Sequence, residues 1–595
     1  MILLTHLTGR RSINRNLASR RKCHVWFVLG LAWALAACGF DTLSVAEAAS
    51  STSLTETATA LSPASMATVG VQGGLSLSAA KNDLFTTAGM CNACHMNLTT
   101  SDGTEVSPAE FWRASIMANS ARDPYYLASV RLELVESPDF AAEIENKCSI
   151  CHMPMAHFND AARGNKSLIF GEGGYLDPGH PLNAMAGDGV SCTVCHQIPA
   201  SVGSKFRHSG SLAIDLTAPM GERIIYGPFS ITERGKALMK GGSGYVTLQS
   251  EHISQSALCA NCHELHINYI TEEGTLSQGG DVFPEQKPYS EWLASRYSTE
   301  GVSCQDCHMP KIQKEAPLSN VMPDQKYEPI SLHVFAGGNV FMLNLLKVFG
   351  DEVGVEAESK HFEALISRTV EKLTKETAAL TVSEPTQDGD EFIFDVITEV
   401  RTGHKFPTSF PSRRAWLHVT VTDATTGQVI FESGEFEPKG RIADNDNDSE
   451  PQAYEPHYDV ITTADQVQVY ESVMKTKTGQ VTTLQMRASG FIKDNRLLPE
   501  GFDKTAVSDL IAVTGQAATD DDFVGGQDKV TYRIPVEGGQ GPFTVAVELL
   551  YQSIGHRWAQ NLMSKDTEEA RTFGRYYNAL GNEPVVVASQ RMKGP

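Results

Sequence analysis

The sequence predicts an α+β chain, with a mostly helical and loop-rich first part followed by a β-sandwich-like domain in its last third. Three observations carry that expectation. Cys-x-x-Cys-His occurs five times between Cys91 and His308, one motif per 44 to 67 residues. From Asn339 to Leu380 apolar residues recur at helical spacing. After Leu380, short β-branched and aromatic runs alternate with turn signals.

The five motifs are Cys91/Cys94/His95, Cys148/Cys151/His152, Cys192/Cys195/His196, Cys259/Cys262/His263 and Cys304/Cys307/His308. In this pattern two thiols add across the vinyl groups of one haem, and the adjacent histidine becomes the proximal iron ligand. Composition alone would produce on the order of 0.01 such matches in a chain of this kind. Zinc knuckles and disulfides also use Cys-x-x-Cys. Zinc sites, however, pair two knuckles per metal and need no histidine after each one, and five is an odd number. Ten of the 12 cysteines lie in the motifs; the other two, Cys23 and Cys38, lie near the N-terminus. The reading is five covalently bound haem c groups, packed by a domain over residues 85–338.

The N-terminus reads as an export signal. Residues 1–22 hold six basic side chains and no acidic one, and Val25–Ala37 is an apolar run too short to span a bilayer. The run ends Leu35-Ala-Ala-Cys38-Gly39, which looks like a bacterial lipobox with Cys38 as the acylated residue. An ordinary signal peptide cut near Ala49 is the other reading. With Gly39 after the cysteine, the expectation is an exported outer-membrane lipoprotein facing the periplasm or the cell surface. Residues 1–37 then form the signal, and the Ser/Thr/Ala-rich residues 38–84 form a tether that cannot bury a core. Removal of residues 1–37 would carry the net charge from −22 to −28, so nucleic acid is not an expected partner.

Within residues 339–380, Phe362, Leu365, Ile366, Val370 and Leu373 share helical spacing and predict a helical connector. Residues 381–595 predict strands at Glu391–Val400, Trp416–Thr422 and Val429–Phe431, with Thr425-Thr-Gly427 as a turn. Val530–Pro535 and Phe543–Leu550, separated by a Gly-rich stretch, read as a hairpin. The whole reads as a sandwich with loop insertions.

Motif order alone cannot choose the sixth ligands. The chain resembles a family of bacterial multihaem cytochromes related to the cytochrome c-554 type, extended by a β-domain. The likeness runs over most of residues 85–560. It rests on Trp112-Arg-Ala-Ser-Ile-Met117, Cys148-Ser-Ile-Cys-His-Met-Pro154, and His180-Pro-Leu ahead of Gly189-Val-Ser-Cys192. It continues through His252-Ile, Pro284-Glu-Gln, His333-Val-Phe-Ala-Gly-Gly-Asn339, Gly403-His-Lys-Phe-Pro-Thr408, Glu455-Pro-His457 and Lys493-Asp-Asn-Arg-Leu-Leu-Pro499. The resemblance implies His180, His252, His333, His404 and His457 as distal iron ligands, each with the alternative of hydrogen bonding near a haem edge. His157 and His266 are further candidates. His361 reads as solvated, and His418 and His556 as packing residues. Where related chains place a distal histidine, this one has Met117, a second candidate ligand or core filler. Arg413 and Arg414 could pair with haem propionates or simply open a strand.

Asp444-Asn-Asp446-Asn-Asp448 with Glu455 at the twelfth position resembles a calcium loop. Ser449 replaces the usual glycine and Pro451 interrupts it, so an Asx-rich turn is the competing reading. The function implied is electron transfer with redox partner proteins: other cytochromes, or a quinol-linked or terminal reductase complex. The rival is an oxidoreductase with one open iron acting on a small nitrogen or sulfur oxyanion. No motif ends in lysine, and five candidate distal histidines match five irons. Cys38→Ala is expected to shift the protein from the membrane to the soluble fraction; unchanged membrane association would defeat the lipobox reading.

Overall fold

The computed structural model describes residues 76–200, 208–536 and 541–594. All of these belong to one compact unit, Ser62–Pro595. The expected export signal, Cys38 and the tether up to residue 75 lie outside the described residues.

Between residues 88 and 308 the described residues form mostly short helices, with two small two-stranded sheets, Ile224–Gly227 on Val246–Gln249 and Leu265–Ile267 on Phe283–Gln286. The first long helix, α1, spans Pro124–Glu136. Asp123 caps it by accepting from the Tyr125 and Tyr126 N–H groups, and Pro124 pre-sets the first turn. Helices α2 (Ala141–His152) and α3 (Pro154–Ala162) follow, separated where Pro154 lacks the N–H that would continue α2.

The connector contains two helices, α4 (Val340–Val353) and α5 (Ser359–Glu376). Gly354, at φ 72°, ends α4 in the left-handed conformation that a side chain disfavours. His361 is not solvated. It is buried at the start of α5, where Nδ1 accepts from the Glu358 N–H and Nε2 meets the Glu110 carboxylate at 2.9 Å.

Eleven strands build two sheets: β1 (Ala378–Val382), β2 (Thr386–Asp388), β3 (Glu391–Val400), β4 (Arg414–Asp423), β5 (Val429–Ser433), β6 (Val460–Ile461), β7 (Val469–Lys475), β8 (Gly490–Asp494), β9 (Gln527–Pro535), β10 (Phe543–Gln552) and β11 (Val585–Lys593). The first sheet runs β2-β3-β9-β6, with β1 also on β3. The second runs β8-β7-β4-β10-β11, with β5 also on β4. Only β6–β9 is parallel among these pairs. Alternate residues of β3 (Phe392, Phe394, Val396) and β10 (Phe543, Val545, Val547) are fully or almost fully buried in one shared core. The rings of Phe392 and Phe543 meet across the two sheets at 5.0 Å.

The segments at 530–535 and 543–550 do not form a hairpin. β9 pairs with β3, whereas β10 pairs with β4 and β11. Turn chemistry in a sequence does not specify whether the chain returns to the same sheet. Helices α6 (His556–Met563) and α7 (Glu568–Leu580) return to α1. There Phe573 packs on Tyr125 at 5.4 Å and Glu569 takes both arms of the Arg131 fork.

One buried ion pair locks the sandwich to its main insertion. Arg414 on β4 donates to both oxygens of Asp448 at 2.8 and 2.9 Å, and both side chains are almost wholly buried. Removing one partner strands the other charge in a low dielectric. Asp448→Ala is therefore expected to lower unfolding stability in urea by about 3–5 kcal/mol. The paired replacement Arg414→Met with Asp448→Leu should recover most of that loss.

Candidate functional site

Each motif makes a single helical turn. The histidine N–H donates back to the first cysteine's carbonyl at 3.1 Å in His95, 3.1 Å in His196 and 2.9 Å in His263. The second motif ends α2, and the fifth is the short helix Cys304–His308. Residues i, i+3 and i+4 share one face of a helix, so both thiols and the imidazole present to the same side. All fifteen motif residues line one continuous cavity of about 1380 Å³. None of the ten cysteines forms a disulfide.

The imidazoles are oriented from behind. Nδ1 sits against a backbone carbonyl in His95 (Leu318, 2.6 Å), His152 (Ser120, 3.1 Å), His196 (Tyr226, 2.7 Å) and His308 (Ala336, 2.6 Å). A carbonyl accepts only, so Nδ1 carries the hydrogen and Nε2 keeps its lone pair. Burial holds His152 and His308 down to about 4, and lowers His95, His196 and His263 as well. Neutral imidazole is the ligating form.

Two of the expected distal histidines reach the cavity. His333 lies opposite His196 and His404 opposite His308, each pair with ring centres 6.3 Å apart and planes within 19° and 15° of parallel. With metal–nitrogen bonds of about 2 Å and about 1.1 Å from ring centre to nitrogen, two imidazoles on one ion sit roughly 6 Å apart. Both distal rings are tied at Nδ1 to backbone carbonyls, of Ser331 and Lys405.

A buried charge cluster holds the His404 loop. Lys405, fully buried, pairs with Asp494 at 2.8 Å. Arg496 bridges Asp494 and Glu291, and Glu291 accepts from Thr408. Burial pushes the Asp494 carboxyl up, but Arg496 and Lys405 outweigh it and hold the group at about 2. Gly403 leaves room for Trp292, whose ring atom an added Cβ would meet at 3.4 Å.

The spatial order of the motifs differs from their order in the chain. The thiols of Cys91 and Cys192 lie close enough to act on each other, as do those of Cys151 and Cys262 and of Cys259 and Cys304. Cys195 lies close enough to Cys259 and Cys262 to act on both electrostatically. The first motif therefore neighbours the third, the third the fourth, and the fourth the fifth. The second branches from the fourth.

The other distal candidates sit off the cavity wall. His180 is half-exposed on its loop, with Nδ1 accepting from Leu182. His252 spends both nitrogens, on Ser250 at 2.6 Å and the Ile198 carbonyl at 2.8 Å. His457 is buried within the sandwich. The Gln468 and Asn495 amides, pinned by the Tyr458 and Glu471 N–H groups, both donate to its Nδ1. Its hydrogen is then on Nε2, aimed at Asp520 at 2.9 Å, and no lone pair is left for a metal. His157 is buried between Ser149 and Ser167, and His266 faces His208 at 4.7 Å. Met117 does line the cavity.

The calcium expectation is corrected. Asp448 is committed to Arg414, Glu455 accepts from the Asp446 N–H and Tyr458, and Asn445 caps the turn 446–449. Asp444, Asp446, Asp448 and Glu455 are absent from every metal-competent group of side chains among the described residues. Arg414, held by Asp448, does not reach the cavity. Arg413 does, with one arm on the Thr408 carbonyl.

Sequence reasoning missed Tyr126, which stacks on the His152 ring at 3.6 Å, and the buried carboxylates Glu133 and Glu285 beside it on the cavity wall. The Pro284-Glu-Gln stretch was the one available signal. The residues present fit haem c: ten free thiols in five pairs, five imidazoles of which four are oriented by a backbone carbonyl, and a wide apolar-walled space.

No family model matches the chain, and no curated protein matches it. Among solved structures it is similar to a penta-heme cytochrome c552 from Thermochromatium tepidum, at 15% identity and a TM-score of 0.44, covering 85% of this chain and 98% of that one. His333→Ala and His404→Ala are each expected to turn one low-spin iron high-spin in EPR of the haem-loaded protein, without lowering the haem count. An unchanged low-spin count would remove that residue as a ligand.

Proposed function

We propose that this chain is an electron carrier of the bacterial cell envelope, holding five covalently attached haem c groups. One observation carries the reading: every thiol and imidazole of the five motifs opens on one cavity, with the thiols of neighbouring motifs close together. Haem iron, when bound, supplies reversible one-electron chemistry.

The chain's own residues do the rest. The ten cysteines fix position, and the five proximal histidines offer Nε2. The carbonyls behind four of them, His95, His152, His196 and His308, raise ligand basicity and prevent ring rotation. His333 and His404 give two sites a second imidazole. Phe335, Tyr289, Trp292 and Tyr551 help exclude water from the shared wall. Arg413 supplies a cation where a propionate could pair. Expected partners are redox proteins of a respiratory chain, reached from a lipid anchor at Cys38.

A second reading has one specific observation behind it. Among the described residues only two non-motif histidines, His333 and His404, line the cavity. An iron left without a sixth side chain would suit an oxidoreductase acting on a small nitrogen or sulfur oxyanion. A pyridine haemochrome assay should return five haems per chain. Low-temperature EPR with five low-spin ferric signals supports the carrier, whereas a high-spin haem that binds nitrite or hydroxylamine would sink it in favour of the enzyme.

A further inference from the structure

The wall beside the second motif contains charge that electron carriage alone does not require. Helix α1 turns Tyr126, Val130 and Glu133 toward the cavity, at helical spacing. The end of α2 contributes Lys147, Cys148, Cys151 and His152, and the strand Phe283–Gln286 adds Glu285. Glu133 is 5% exposed and Glu285 is 4% exposed. One oxygen of Glu133 accepts from the Gln485 N–H at 2.5 Å; the other is buried without a hydrogen bond. Glu285 has one long contact, 3.5 Å from the Gln286 amide.

The surrounding charges do not neutralise this pair. Lys147 acts on Glu285 from α2, but its ammonium donates to the Ser209 carbonyl at 3.3 Å. Arg487 acts on Glu133 from the 485–487 turn, and Glu136 opposes it from the same helix while paired with Lys565 at 2.5 Å. The two carboxyls also act on each other. Burial pushes Glu133 up to about 7 and Glu285 up to about 8. Cys148 and Cys151, which would anchor the second haem, share the cavity wall with them and act on them electrostatically.

We propose that Glu133 and Glu285 form a redox-linked proton site, taking one proton from solvent when the haem anchored at Cys148 and Cys151 gains an electron and releasing it on oxidation. The inference rests on the electron-carrier reading. The electron comes from the redox donor, the proton from water, and the only bond made is O–H on a carboxylate. An added negative charge in a poorly solvated wall raises the proton affinity of a nearby carboxylate. By linkage, the midpoint potential then falls as pH rises, between the oxidised-state and reduced-state pKa values. The limit is about 59 mV per pH unit for one proton per electron.

Spectroelectrochemical titration of the haem-loaded protein between about pH 5 and 9 tests this. One haem transition should show a slope approaching that limit above about pH 7. In Glu133→Gln with Glu285→Gln the slope should vanish, with haem content and the other transitions unchanged. A flat wild-type profile, or a slope that survives in the double variant, would overturn the proposal. If the double variant does not fold, redox-difference infrared spectra of the wild type and of Glu285→Gln decide. A carboxyl C=O band must grow on reduction and shift in D2O, and it must weaken in the variant; its absence overturns the site. Failure of the carrier reading looks different: no reversible transition at any pH.

Discussion

The first half of this chain is organised around a volume. A cavity of about 1380 Å³, walled largely by apolar side chains, sets apolar surface against water unless a bound group covers it. Many of the helices around it are turns of four or five residues, which do not hold themselves. Under the proposed reading the haems are this segment's core, and haem attachment and folding are one event.

The sandwich contributes a wall of that volume. Residues 401–413 run along the cavity just before β4, and Tyr551 and Ser553 reach it from the end of β10. The charge cluster of Lys405, Asp494, Arg496 and Glu291 joins this rim to the helix Pro288–Leu293 of the motif segment. With two cations and two anions it is balanced, and it fixes a loop that would otherwise be free to pivot. His404, the proposed ligand, is thus positioned by β8 and its following residues, far from it in sequence.

Local chemistry was legible in the sequence and distant chemistry was not. Cysteine, cysteine and histidine at i, i+3 and i+4 specify their own geometry, so the motifs could be read directly. Strand alternation in Phe392/Phe394/Val396 was visible for the same reason. His333 and His404 look no different in sequence from His180, His252 and His457; each stands beside turn residues. What separates them is whether the fold places the ring on the cavity wall with Nδ1 against a carbonyl. The Asp444–Asp448 run matched a metal loop because Arg414, the partner that takes Asp448, lies 34 residues away in sequence. His361 sat among charges on a helix and was read as solvated, but α5 begins against Glu110.

The adjacency of the thiols has a consequence for how the molecule is built. The first and third motifs, and the second and fourth, are each separated by about a hundred residues, whereas the fourth and fifth lie much closer together. Closing a long loop is only modestly dearer than closing a short one in free energy, but it is slower to search. The contact between the fourth and fifth motifs is the natural nucleus, with the third joining next and the first and second docking last. The chain leaves the ribosome in the opposite order. Its earliest-made motifs therefore wait for their neighbours, and the finished electron path is assembled from its far end backwards.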